Sequence, residues 1–458
     1  MAVTPVYAAT PVDILVVAQD IDDIVTIDPA LAYEFSSGEY VANTYDTLVR
    51  YDAADTTVLA LALATNWSVD AATKTVTFTL RDGMTFHSGY PLWGEDGVGS
   101  WTRVVALDKA PSFILTQLGW TTDNIADMVT ADGNTDTVKY EGDLAARLAT
   151  VVDMETVMAN EVDGDMGHGW MNKNSAGTGP FSLGRYRPED ILSLTENPDC
   201  YQGAPTMRRF VIQHNSEGAS QRLQLEAGYI DMAKNLDPSQ IAELNGVDGV
   251  WVETYPQAAV HWVSFNQKID SLTDPAVWEA ARYLADYNGM ADGMLKGQIK
   301  VHPAFWPDGF PGALADTPFG YDPEKAKQTL ADAGVETPIN VTIDVISAPT
   351  FVEMAQAIQA SFAEGGINLE IVVGTGAQVI TKYRARTHEA MLLYWGADFM
   401  APHSNAKAYA FNKDNSYDKY ASTTTWRNAW MSPAEMNAKT MAALGEKDAE
   451  KRLDMFRE

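Results

Sequence analysis

Asp322-Pro-Glu-Lys-Ala-Lys-Gln-Thr-Leu-Ala-Asp-Ala-Gly334, followed by Ile339-Asn-Val-Thr-Ile-Asp-Val345, is the stretch whose reading decides the fold class. The Asp322 carboxylate can accept from the free N–H groups of a helix start, Pro323 suits the first turn, and Gly334 suits the stop. Ala326, Leu330 and Ala333 run along that helix, and Ile339, Val341, Ile343 and Val345 then alternate as a strand. Phe351, Met354, Ile358 and Phe362 recur at helical spacing up to Gly365-Gly366, after which Ile367, Leu369 and Ile371 alternate again. Strand, helix, strand requires a crossover, so the spacing predicts a βαβ unit, a parallel strand pair and an α/β fold.

Working outward, Ala390 to Trp395 is an apolar run that reads as a central strand, ending at Gly396-Ala-Asp398. Ligands in open α/β sheets sit beyond the carboxyl ends of strands, which makes Asp398 a candidate binding residue from position alone. Upstream, Ile14 to Val17 reads as a buried strand, Val41 to Leu48 as helix-like, and Trp67, Val69, Val76, Phe78 and Leu80 as a β-hairpin. Residues 105–175 carry no firm periodicity. Gly177-Thr-Gly-Pro180 forces irregular backbone before a strand from Phe181 to Tyr186, a natural place for a chain to cross between lobes. Ala434 to Glu458 reads as one amphipathic helix.

The chain has 458 residues, more than one hydrophobic core usually supports, and 46% of them are hydrophobic. Asp plus Glu number 62 against 32 Lys plus Arg, a net charge of −30. Such a field repels nucleic acid, which is bound through phosphate neutralisation by clustered cations. Cys200 is the single cysteine, so no internal disulfide forms. No run of 18 apolar residues occurs, and direct membrane insertion is not expected. Met1 to Ala9 resembles the small-residue cleavage end of an export signal, and a periplasmic setting with the signal peptide removed is the expectation.

Catalytic motifs are missing from the sequence. There is no Gly-x-Ser-x-Gly elbow and no Walker loop, and Ser182 with Pro180 spoils a dinucleotide fingerprint at Gly177-Thr-Gly179. The histidines at 87, 168, 214, 261, 302, 388 and 403 show no zinc spacing, and no cofactor is expected. Asp132-Gly-Asn134-Thr-Asp136 resembles the start of a calcium loop, but Thr137 stands at the sharp-turn glycine position and Asp143 at that of the bidentate Glu. With so many acids, a glycosidase-like carboxylate pair carries no signal, and a hydrolase acting on saccharide or peptide remains the reading from another class.

Several blocks in order resemble the dipeptide, oligopeptide and nickel-binding family of periplasmic solute-binding proteins. They are Leu61-Ala-Leu-Ala-Thr-Asn-Trp67, Phe78-Thr-Leu-Arg-Asp-Gly-Met-Thr-Phe-His-Ser-Gly89, Gly177-Thr-Gly-Pro-Phe181 and Arg222-Leu-Gln-Leu-Glu-Ala-Gly-Tyr-Ile-Asp231. Val263-Ser-Phe-Asn266, Ala281-Arg-Tyr-Leu-Ala-Asp-Tyr287, Leu295-Lys-Gly-Gln298 and Asp322-Pro-Glu-Lys-Ala-Lys327 continue the series. The resemblance implies a two-lobed periplasmic-binding-protein fold, type II and peptide-binding class, with an inserted additional domain. The expected spans are 1–45 and 176–258 for the first lobe, 46–175 for the inserted domain, and 259–458 for a C-terminal lobe. That lobe is expected to stop short of the family's last strands.

The function implied is the substrate-binding component of an ABC importer: a monomer that captures a peptide or other amine-bearing solute where the lobes close, delivers it to permease subunits and catalyses nothing. Tyr33, Glu34 and Phe35 from one lobe and Trp395, Asp398 and Phe399 from the other are the implied pocket residues. The aspartate matching Asp398 receives the ligand ammonium in peptide-binding members. His403, close after it, is the sole support for a nickel-chelate alternative. Three positions depart from the family: Ala401 replaces the acid before proline, Tyr229 replaces an aspartate, and Ile346-Ser-Ala-Pro-Thr350 lacks the arginine that takes a dipeptide's carboxylate.

Overall fold

The computed structural model describes residues 10–52, 55, 58–140, 150–302, 304–398, 401–416, 432–446 and 448–458. The chain divides into two compact units: residues 1–215 with 223–234, and residues 216–222 with 235–458. It therefore passes from one unit to the other at 215–216, 222–223 and 234–235, the middle of these lying within the helix Gly218–Glu226.

The first unit contains β1 (Ile14–Gln19), β2 (Val49–Tyr51), β3 (Leu59–Leu61), β4 (Ala64–Asp70), β5 (Thr75–Leu80), β6 (Val129–Asp132), β7 (Thr135–Lys139), β8 (Phe181–Arg187), β9 (Ile191–Glu196), β10 (Arg209–His214) and β11 (Met232–Ala233). One sheet has the order β11-β1-β10-β9-β8, with β1 parallel to both its neighbours. A second has the order β4-β5-β7-β6 and rests on the helix Gly94–Leu107, whose Trp101 is fully buried. The hairpin pairs Trp67 with Phe78 and Val69 with Val76, as their alternation predicts. The helix expected over 41–48 instead spans Phe35–Thr44, because the backbone is extended at Glu34 and again at Tyr45.

A buried ion pair ties the N-terminal segment to the helix Gly94–Leu107. Arg103 donates to both Asp28 carboxylate oxygens at 2.8 and 2.6 Å and to the Met166 carbonyl at 2.7 Å, and His168 Nδ1 lies 3.0 Å from Asp28. Burial alone would raise the Asp28 carboxyl, but the bonds from Arg103 and His168 outweigh it and hold the group below the ordinary range.

The Gly177-Thr-Gly179 stretch lies inside the first compact unit. It is a packing device. A Cβ at Gly177 would stand 2.1 Å from the Thr44 carbonyl oxygen, and one at Gly179 would stand 2.6 Å from the Thr44 carbonyl carbon. This close approach lets Gly179 donate to Thr44 and brings the Gly177 and Gly179 carbonyls to His87 and Asn197. The calcium-like stretch is a hairpin connection, with Asp132 and Thr135 in register across Gly133-Asn134; Asp143 lies outside the described residues. Asp136 points inward, fully buried against Gly94 and Gly97.

In the second unit, β12 (Ala259–Phe265), β13 (Ile339–Ile346), β14 (Ile367–Gly374) and β15 (Ala390–Gly396) form one sheet in the order β12-β15-β13-β14. The predicted βαβ unit is present: β13 pairs parallel with β14 along its length, and the helix Pro349–Glu364 connects them. Asp322 accepts from the Lys325 N–H at 2.9 Å and caps the helix Pro323–Asp332. As expected for a central strand, β15 lies between β12, antiparallel, and β13, parallel. The C-terminal stretch is two helices, Ala434–Gly445 and Ala449–Arg457, since Glu446 turns extended and Asp448 caps the second. Among the described residues no helix is long and apolar enough to cross a membrane.

Two stability measurements probe the first unit. Gly177→Ala is expected to destabilise by ~1–3 kcal/mol or more in urea unfolding, since backbone must move to admit the methyl group. Burial pushes the Asp136 carboxyl up to about 8, with Glu95 and Asp96 adding to the effect. The folded chain thus holds this proton more tightly than the unfolded one, so stability declines from about pH 4 to pH 8. The isosteric Asp136→Asn is expected to remove that part of the pH dependence and to raise the urea midpoint at pH 8; an unchanged midpoint there contradicts a buried acid.

Candidate functional site

The second unit's sheet sets the site. Parallel β13 and β15 carry their carboxyl ends on the same side, where a chain leaving the sheet must find new partners for its backbone. Ala397 continues the ladder by donating to the Ala258 carbonyl at 3.0 Å. Asp398 then leaves it, its N–H donating to Ser404 Oγ at 3.0 Å. Ser404 lies in the helix Pro402–Ala410, so one hydroxyl fixes the Asp398 backbone to the next element, and Asp398 itself is half-buried.

Alternation along β15 divides its aromatic residues between the two faces. Trp395 is 7% exposed and packs edge-on to Tyr409 at 5.4 Å between centroids, with Trp262 and Phe305 around the same tyrosine. The half-buried Tyr394 lies on the opposite face beside His261 at 6.1 Å and Phe351 at 5.7 Å. His403 is buried in the first turn of the helix Pro402–Ala410. Phe399 lies outside the described residues. Among the described residues no group of three or more His, Cys, Asp or Glu is placed to hold a metal ion.

In the first unit, Tyr33, Glu34 and Phe35 precede and open the helix Phe35–Thr44. Tyr33 packs edge-on to Phe113 at 5.8 Å. Glu34 is buried and accepts from the Tyr33 N–H at 3.3 Å and the Ser37 hydroxyl at 3.0 Å, while Phe35 is 41% exposed. Close by, Asp20, Asp22 and Asp23 come directly after β1, and Asp23 accepts from the Ser36 N–H at 3.3 Å. Burial, with Asp22 nearby, holds the Asp20 carboxyl above the ordinary range. Carboxylates thus collect at the carboxyl end of β1 as Asp398 does beyond β15. The strand-end rule that singles out Asp398 in the sequence applies equally to Asp20 to Asp23, which sequence reasoning missed.

Comparison with known proteins bears on the whole chain. The family model described as bacterial extracellular solute-binding proteins, family 5 Middle, matches residues 58–417. The probable D,D-dipeptide-binding periplasmic protein DdpA of Escherichia coli K12 is 27% identical over 410 residues, covering 87% of this chain and 77% of that protein. Among solved structures, the periplasmic binding protein DppA from Helicobacter pylori in complex with peptide STSA superposes with a TM-score of 0.84 at 21% identity, over 97% of this chain and 89% of that one. MoaA from A. tumefaciens R10 in complex with mannopinic acid gives 0.85 at 21% identity, over the same shares. The structural likeness is one of fold, and it bears out the type II, peptide-binding-class expectation.

Proposed function

Because the chain belongs to the bacterial extracellular solute-binding proteins of family 5, we propose that it is the extracytoplasmic binding component of an ABC importer for a peptide or other amine-bearing small solute. In this reading it delivers the solute to membrane permease subunits as a monomer from the periplasm and performs no chemistry on it. The observation that carries the reading is Asp398, a half-buried carboxylate just past the carboxyl end of a central parallel strand, its backbone fixed by Ser404. A carboxylate so placed makes a charge-assisted hydrogen bond to an ammonium group, and partial burial strengthens that bond relative to water.

The relatives support an amine-bearing solute: one is named for a D,D-dipeptide and one holds the peptide STSA. Trp395 is proposed to act from behind the site, its buried ring holding the strand end in place against Tyr409. Tyr394, with His261 and Phe351, is the aromatic group proposed to meet the solute.

The test is calorimetric. For whichever amine-bearing solute the native protein binds, Asp398→Ala is expected to weaken binding by about 2–3 kcal/mol, the range for a hydrogen bond to a charged group. Asp398→Asn is expected to lose most of the same amount while keeping the shape. Unchanged affinity in both variants, or cleavage of peptides or oligosaccharides by the wild type, contradicts the reading.

A further inference from the structure

The acidic composition makes partly buried cations scarce, and in the second unit nearly all are matched. Lys382 pairs with Asp344 at 2.7 Å and Arg222 with Glu243 at 2.6 Å. Arg386 donates to the Asn415 and Ser416 carbonyls, Arg452 donates to the Glu446 carbonyl, and Arg384 also has a partner. Lys407 differs. It is half-buried in the helix Pro402–Ala410, and among the described residues it has neither a hydrogen bond nor an ion pair. Burial pushes its ammonium down to about 8. Holding an ammonium partly out of water without a partner is unfavourable, and a chain carrying 62 acids could readily supply one.

Its position suggests why the group is left unmatched. Ser404, the residue that binds the Asp398 N–H, is three residues before Lys407 on the same helix. Residues three apart on a helix are surface neighbours, about 5–6 Å between Cβ atoms. Lys407 therefore stands about one turn beyond the contact that positions Asp398. The two side chains do not pair with each other. An ammonium left unmatched in the same loop and helix as a carboxylate, with no bond between the two, suits the two ends of a zwitterion.

We propose that Lys407 is an anion-binding group of the candidate site, taking a carboxylate of the solute whose ammonium meets Asp398. The inference rests on the Asp398 reading and narrows it to small amine-bearing acids. It also supplies the cation that Ile346-Ser-Ala-Pro-Thr350 does not offer.

The test is equilibrium dialysis of the native protein against two pools, read by mass spectrometry. One pool holds amino acids, di- and tripeptides and N-carboxyalkyl amino acids; the other holds the same compounds as carboxamides. The wild type is expected to retain free acids over their amides by about tenfold or more, the scale of a charged hydrogen bond. Lys407→Gln is expected to lose that preference and Lys407→Arg to keep it, with both variants checked for unchanged melting. Independently of any variant, the free-acid pool is expected to slow acetylation of Lys407 by acetic anhydride in the wild type, and the amide pool is not. Equal retention of acids and amides, a preference that survives in Lys407→Gln, or no retained compound overturns the proposal. Asp398→Asn, run alongside, separates the two assignments. If it abolishes retention while Lys407→Gln keeps the acid preference, only Lys407 is rejected; if it changes nothing while Lys407→Gln erases the preference, only Asp398 is.

Discussion

The candidate site depends on how β15 is held. β15 pairs along its whole length with β12, running against it, and over Ala390 to Leu392 also with β13, running with it, and its residues from Ala390 to Leu393 are buried. Such a strand can shift neither along its axis nor out of the sheet without breaking two ladders. Its carboxyl end is held by the β12 ladder, which Ala397 extends by donating to the Ala258 carbonyl. The chain beyond Gly396 leaves the sheet within two residues, and the Ser404 hydroxyl catches the first backbone N–H to do so. A carboxylate carried on such a support loses little freedom when it binds, which is the physical advantage of placing an anchor there.

Charge placement has a consistent pattern in each unit taken by itself. In the first, acids gather just past the carboxyl end of β1, and for Asp20 burial and the charge of Asp22 oppose ionisation. Elsewhere in that unit the buried Asp28 is matched by Arg103, while burial pushes the Asp136 carboxyl up to about 8. In the second unit, Lys407 has no hydrogen bond or ion pair among the described residues, one turn beyond the contact that holds Asp398.

Much of the fold was legible because its signals are local. Asp322 as cap, Gly334 as stop, and the alternation of Ile339 to Val345 and of Ile367 to Ile371 each report their own element, and the βαβ unit comes from their order. What was illegible depends on distant contacts. Nothing near Gly177 in the sequence says that it must approach Thr44, so the packing role of its glycines could not be read there. The break at Glu446 was hidden because helical spacing continues on both sides of it. At the candidate site, the place of Asp398 just past the end of β15 was legible from the sequence, but which face of β15 carries Trp395 was not, since a run buried on both faces has no polar side to mark it. Lys407 could not be singled out, because its lack of a partner among the described residues is a property of three-dimensional surroundings.

The central claim is that this protein holds a solute by an ammonium group at Asp398. Mass spectrometry of the small molecule released from natively purified wild-type protein, with the Asp398→Asn protein purified in parallel, tests it most directly. The account predicts a compound bearing a primary or secondary amine from the wild type and little or none of it from the variant. An amine-free solute, such as a neutral sugar, or equal amounts from both proteins, would contradict it.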